Sequence, residues 1–236
     1  MVSACYLAMS AAEFASCRSF PTNCAWMACQ FSSSGSGLSN LPRYLPKDTV
    51  VILSDQTPLA DHDPHRICRE LEDVLRRFSC RGVLLDFQRP GDAGLRELAA
   101  FLVRALPCPV AVAESYADGL ESPVFLPPVP LRHPIREYLR PWQGREIWLD
   151  IAPDGEEIVV TEQGSRSASL PRPEFEAPHQ DPQLCCHYRI DVTGDTVRFS
   201  LRRTNGDLAL LMREAQEWGA VKFFGLWQEL RETYGQ

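Results

Sequence analysis

Long apolar runs are missing from this sequence: no stretch approaches the ~20 residues that a membrane-crossing helix needs. The first positive charge is Arg18, so the basic segment ahead of an apolar run that marks a secretory leader is not expected here. Basic charge is scarce throughout. The 24 Lys and Arg stand against 31 Asp and Glu, a net charge of -7, whereas a nucleic-acid partner needs a concentrated basic face. The five histidines fall into no H-E-x-x-H spacing. His62 and His65, beside Asp61 and Asp63, are spaced like metal ligands but have no third ligand nearby, and they read as a polar helix entry. The glycines of the small polar loop Ser32 to Gly37 match neither the phosphate-loop nor the dinucleotide fingerprint. The expectation is a chain with no metal, no cofactor, no membrane span and no nucleic-acid partner.

Cysteine is plentiful but unorganised. Nine residues, an odd number, are scattered from Cys5 to Cys186, and several, such as Cys68 and Cys108, sit in apolar stretches as small buried hydrophobes do. That usage fits a reducing compartment, so a cytoplasmic location is expected. Cys185 and His187 would share one face of a strand, a thiol–base pairing for which the sequence offers no orienting acid.

What is present is enough apolar residue for a real core. At 236 residues and 44% hydrophobic content, the chain fits a single domain over residues 1–236. Strands are read at residues 3–9, 24–31, 49–54, within 81–90, 109–113, 146–150 and 221–227, with a short one at 124–126. Asp63 and Pro64 start a helix to Phe78 whose stripe is Ile67, Leu71, Val74, Leu75 and Phe78. Asp92 caps another, with Leu95, Leu98, Ala99, Leu102 and Leu106 inward. Strand and helix alternate there, which argues for parallel pairing through right-handed crossovers. Asp154-Gly155 signals a hairpin, with Glu157 to Thr161 returning antiparallel. Residues 164–183 read as an exposed excursion, and Thr193-Gly194-Asp195 as the turn of a second hairpin. Thr204 or Asn205 opens a last long helix that Gly219 stops. The fold class expected is α/β, a (β/α)8 TIM barrel with extra β-hairpins and one of the segments 3–9 or 124–126 left outside.

The most site-like stretch is Arg81-Gly82-Val83-Leu84-Leu85-Asp86-Phe87-Gln88-Arg89-Pro90. It is an apolar strand whose polar side chains arrive only at its end, and in parallel folds ligands sit at that end. Asp86 and Gln88, two apart, point to one face. Other strands also end in polar groups: Asp55, Glu114, Asp150, and Trp227 with Gln228. In a barrel these converge on one rim, where neighbouring carboxylates can shift one another's titration.

The same stretch resembles the fourth-strand signature of the chitinase-like glycoside hydrolases of family 18, which ends in D-G-x-D-x-D-x-E. Gly82 and Asp86 match it. Arg81 and Leu84 replace two aspartates, and Gln88 stands where the catalytic glutamate would be. The end of the chain is similar too: a helix into Gly219, then a strand ending in Phe224-Gly225-Leu226-Trp227-Gln228, with Trp227 at the position of a tryptophan on the floor of the sugar site. The resemblance implies a barrel with a sugar pocket at its C-terminal mouth.

An amide has no titratable proton near neutral pH, so Gln88 cannot act as the general acid. The expected function is therefore binding of a carbohydrate-like or small polar ligand. Asp86 and Gln88 would hydrogen-bond the ligand, Trp227 would stack on it, and Asp55, Glu114, Asp150 and Tyr188 would line the rim with Gln228. One alternative is an active glycoside hydrolase in which Glu114 or Asp150 is the acid. Another is a scaffold whose excursion at 164–183 captures a protein. The sequence specifies no oligomeric state.

Overall fold

Val83, Leu84 and Leu85 form the centre of a strand, Gly82–Asp86, that is buried along its length except at Asp86. Such a run needs cover on both faces, which a helix-wrapped parallel sheet supplies. It is the fourth of eight parallel strands: β1 (Ala4–Met9), β2 (Cys24–Phe31), β3 (Val50–Ser54), β4 (Gly82–Asp86), β5 (Val110–Ala113), β6 (Val124–Leu126), β7 (Ile147–Asp150) and β8 (Ala220–Leu226). Strands consecutive in this series are neighbours, and β1 closes the ring. It pairs with β2, Leu7 opposite Cys24, and with β8, Tyr6 opposite Phe224. A two-residue strand, Leu38–Ser39, adds antiparallel to the end of β2. The computed structural model describes residues 4–34, 37–59, 63–170 and 176–235. By contact the chain sorts into two compact units, Met1–Leu126 with Gly144–Asp150 and Val221–Gln236, and Pro127–Gln143 with Ile151–Ala220.

In the first unit, α1 (Ala11–Ser16) starts with a reciprocal capping box between Ser10 and Glu13. Asp63 accepts from the His65 amide to start α2 (Pro64–Phe78), and Asp92 accepts from the Leu95 amide to start α3 (Ala93–Ala105). The apolar stripes of α2 and α3 bury Ile67, Leu71, Leu95 and Leu102 against the outward residues Val51, Leu53, Val83 and Leu85. Each such side chain removed from water contributes roughly 1.5–3 kcal/mol.

The alternate residues fill the lumen. Tyr6, Ile52, Leu84, Phe125, Trp148 and Phe224 belong to one cluster there. The Phe224 ring stacks on Tyr6 and Trp148, with centroids 5.4 and 5.5 Å away, and meets Phe125 edge-on at 5.9 Å. Gly82 faces this cluster. A Cβ there would lie 2.9 Å from the Pro109 carbonyl oxygen and 3.1 Å from the Trp148 ring, so only glycine leaves room for the indole. Lys222 Nζ sits 3.7 Å from the centre of the same ring, and Glu146 accepts from its indole N–H at 2.8 Å. These groups lie at the N-terminal ends of β4, β7 and β8, and they close the barrel's floor.

The second unit is built on a five-stranded antiparallel sheet in the order Gly164–Ser169, Gly155–Thr161, Thr196–Arg202, Cys186–Thr193, His179–Asp181. Helices α4 (Ile135–Leu139) and α5 (Asn205–Glu217) accompany it, the latter capped by Thr204 as expected. The buried Arg203 guanidinium donates to the carbonyls of Val129, Leu184 and Cys185 at 2.7, 3.0 and 3.1 Å.

Several sequence expectations are corrected. Residues 4–9 and 124–126 are both barrel strands; neither lies outside. Asp154-Gly155 does not fold a hairpin back on β7, because β6 and β8 already occupy both edges of that strand. Gly155–Thr161 pairs instead with Gly164–Ser169 and Thr196–Arg202. The stretch read as an excursion thus supplies strands Gly164–Ser169 and His179–Asp181, the two edges of the sheet. The last barrel strand stops at Leu226, and Trp227 opens the helix Trp227–Tyr234.

Candidate functional site

Asp86 ends β4 on the parity of Leu84, whose side chain packs in the lumen, so its carboxylate is directed into the barrel's C-terminal mouth. The next residue, Phe87, is buried on the outer side, between the rings of Phe31 and Tyr116 at 5.9 and 5.8 Å. That anchor returns Gln88 to the face of Asp86, and the Gln88 amide donates to the Asp86 carboxylate. Burial pushes the Asp86 carboxyl above its ordinary range; the Gln88 hydrogen bond opposes the shift and the charge of Asp55 adds to it. The pair combines a carboxylate that accepts hydrogen bonds with an amide that can both donate and accept.

Asp55 has a different task from the rim position expected of it. It is 3% exposed, and its two carboxylate oxygens accept the backbone N–H groups of Gln88 and Arg89, each at 2.9 Å. The Tyr116 hydroxyl donates to the Arg89 carbonyl from the short turn after β5. The loops after β3, β4 and β5 are thereby tied together, and Asp55 fixes the backbone that carries Gln88.

Beside Asp86 the register places Ser54, the last residue of β3. Ser54 is 5% exposed, follows the lumen parity of Ile52, and its hydroxyl has no hydrogen-bond partner among the described residues. Sequence reasoning passed over it as an ordinary strand end. Gln30 was also missed. Ala28 and Cys29, consecutive, both pack on the outer layer, where a register shift interrupts β2. The bulge puts Gln30 on the lumen side, where its amide donates to the Gln56 side chain at 2.9 Å and accepts from Thr57 at 3.2 Å. Nothing in the alternation of residues 24–31 announces that bulge.

The remaining expected residues are spread more widely. Asp150 ends β7 on the parity of Trp148 and is half-buried. Glu114 is exposed and opens the turn Glu114–Tyr116; desolvation raises its carboxyl above the usual range. Trp227 packs against the outer layer, the side opposite to Leu226, which touches the lumen cluster. Gln228 is exposed on the following helix. Tyr188 belongs to the second unit, where its ring meets that of His179 at 5.3 Å.

In that unit His187 Nδ1 lies 2.8 Å from Asp207, the acid that the sequence did not reveal. The thiol beside it is poorly suited to attack. Cys185 is buried, donates to the Pro182 carbonyl, and its ionisation is pushed up to about 11 chiefly by desolvation. His62 lies outside the described residues, and His65 packs edge-on against Phe101 at 4.9 Å. Among the described residues no three His, Cys, Asp or Glu gather as a metal site, and no helix is long and apolar enough to cross a membrane.

No protein-family model matches the chain, and no curated protein matches it by sequence. Solved structures do match its fold. A chitinase from Chromobacterium violaceum is 11% identical over 95% of this chain and 93% of its own, with a TM-score of 0.59. The spore cortex-lytic enzyme SleL of Bacillus megaterium is 8% identical over 94% of this chain and 70% of its own, with a TM-score of 0.58. A Glu→Gln variant of the class V chitinase from Nicotiana tobaccum, in complex with NAG4, is 9% identical over 94% of this chain and 93% of its own, with a TM-score of 0.59. At these identities the likeness is one of fold: a parallel barrel resembling those of the chitinases and spore cortex-lytic enzymes.

Proposed function

We propose that the C-terminal mouth of the barrel binds a carbohydrate or a similar polyhydroxylated ligand without cleaving it. The observation that carries this reading is the buried Ser54 hydroxyl, unpartnered among the described residues and next to Asp86. Leaving such a group unsatisfied costs about 1–3 kcal/mol, a penalty that a ligand hydroxyl would relieve. Asp86 then accepts from the ligand, Gln88 donates and accepts, and Asp55 and Tyr116 hold the loops that present them. Gln88 offers no proton to a leaving oxygen, which favours binding over hydrolysis. The Nicotiana tobaccum neighbour supports the distinction, being a Glu→Gln variant in complex with a sugar tetramer.

Calorimetric titration with the trimer of N-acetylglucosamine tests the reading. We expect saturable binding, at least about tenfold weaker in Asp86→Ala, equivalent to ~1.4 kcal/mol, and no shortened sugar after prolonged incubation. Wild-type affinity in both Asp86→Ala and Ser54→Ala would remove the assignment.

One observation favours a second reading, glycoside hydrolysis: the raised carboxyl of Glu114, which a general acid requires. Its signature is release of reducing sugar that disappears in Glu114→Gln.

A further inference from the structure

The second unit contains a cavity of about 440 Å3 between α4, α5 and the turn at Pro182 and Gln183. That volume falls within the range of small-molecule sites. Leu210, Arg213 and Glu214 of α5 stand at i, i+3 and i+4, one face of the helix, and Ile135, Arg136 and Glu137 of α4 line the opposite side. The turn that forms the third wall is fixed. Asp181 accepts from the amides of Gln183 and Leu184 at 2.9 and 3.1 Å, and the buried Arg203 guanidinium holds the carbonyls of Leu184 and Cys185.

The charges decide what fits. Four line the cavity, two of each sign. Arg136 and Glu214 pair with each other across the helices at 3.7 Å. Glu137 and Arg213 remain, and among the described residues neither side chain has an ion-pair or hydrogen-bond partner. A simple anion would meet the two glutamates, and a simple cation the two arginines. A neutral ligand would leave both free charges unanswered. A ligand carrying one charge of each sign answers both, with apolar contact available at Ile135, Leu210 and Pro182.

We propose that this cavity binds a small aliphatic zwitterion, a free amino acid or a dipeptide. Its carboxylate is held by the planar fork of Arg213 and its ammonium group by Glu137. Its lining residues all belong to the second unit, and the proposal does not depend on the function proposed for the barrel mouth.

The test is calorimetry on the whole protein with L-leucine and glycyl-L-leucine. L-leucinamide, which lacks the carboxylate, and N-acetyl-L-leucine, which lacks the ammonium group, serve as comparators. Both zwitterions should bind with Kd below about 1 mM, and each blocked analogue should bind at least about tenfold more weakly. Arg213→Gln should erase the advantage of leucine over leucinamide, and Glu137→Gln its advantage over N-acetyl-leucine. Both positions are exposed, so thermal melts of the two variants should match that of the parent. Absence of zwitterion binding up to about 10 mM, or blocked analogues that bind as well as leucine, would overturn the proposal. So would two folded variants that bind leucine as the parent does. If a variant fails to fold, the analogue series on the parent chain still decides.

Discussion

Towards the N-terminal end of the lumen Trp148 and Tyr6 each stack on Phe224, Lys222 covers the indole and Glu146 takes its N–H. At the C-terminal end β3 and β4 present Ser54, whose hydroxyl has no partner among the described residues, and Asp86, raised by burial, with Gln88 exposed just beyond. The floor is filled so closely that one glycine cannot gain a methyl group. The mouth keeps polar capacity in reserve. On the function proposed for the mouth, a single barrel would separate stability from binding along its axis, and substitutions at the two ends should behave differently.

The largest expected effect is at the floor. Trp148→Ala removes the ring that contacts Phe224, Lys222 and Gly82, and should destabilise the fold by about 3–5 kcal/mol in urea titration. Ligand affinity, measured on whatever fraction remains folded, should stay near that of the parent. Next comes the strut between the two ends. Asp55→Ala leaves the Gln88 and Arg89 amides without their acceptor, which should lower stability by about 2–4 kcal/mol and also weaken ligand binding. A loss of stability with unchanged affinity would separate Asp55 from the mouth. Gly82→Ala should follow at about 1–3 kcal/mol, since the Pro109 backbone oxygen cannot move aside as a flexible side chain would.

The polar end of the barrel and the starts of its helices could be read from the amino acids; the packing of the floor could not. The pairing of Asp86 with Gln88 followed from their spacing, and the helix starts at Asp63, Asp92 and Thr204 from capping chemistry. What escaped the sequence was non-local. Gly164–Ser169 is exposed at every position, so an edge strand has no buried face to write an apolar alternation. The Asp154-Gly155 turn signal is genuine local chemistry, overruled by a barrel that had already taken both edges of β7. Trp227 sits one residue past Leu226, and that single step carries it from the lumen side to the outer layer. Asp207, the partner of His187, lies 20 residues away in sequence and is brought to it only by the packing of a strand against α5.

At the mouth the sign of the stability change should reverse. The raised carboxyl of Asp86 means that its charged form is disfavoured by folding. The resulting penalty is absent below the ordinary carboxylate value of 3.8, grows as pH climbs from there towards the raised folded value, and is constant above it. Asp86→Asn should therefore stabilise the protein at pH 7, and the gain should vanish below about pH 4. The same variant should bind the sugar trimer more weakly. Asp207 provides the opposite sign. Hydrogen bonds from Thr204 and His187 outweigh its burial and hold its carboxyl below the usual range. Its contribution is present above the unfolded value and lost as pH falls through the folded one, so acid should loosen the second unit.

The smallest expected change is the most informative about the mouth. Ser54→Ala removes a hydroxyl that has no partner among the described residues, from a site 5% exposed between Gln30 and Asp86 on the neighbouring strands. Where both a donor and its desolvation penalty disappear together, the net effect should lie within about 0.5–1 kcal/mol of zero and lean towards stabilisation. A floor residue of equal burial would not behave this way. If the hydroxyl is there for a ligand, the gain in stability should come with a loss of affinity for the sugar trimer, the two read from the same sample by melting with and without the sugar. A destabilisation of 2 kcal/mol or more, about the penalty of a broken buried hydrogen bond, would mean that Ser54 is bound within the fold, and the mouth would then be as fully satisfied as the floor.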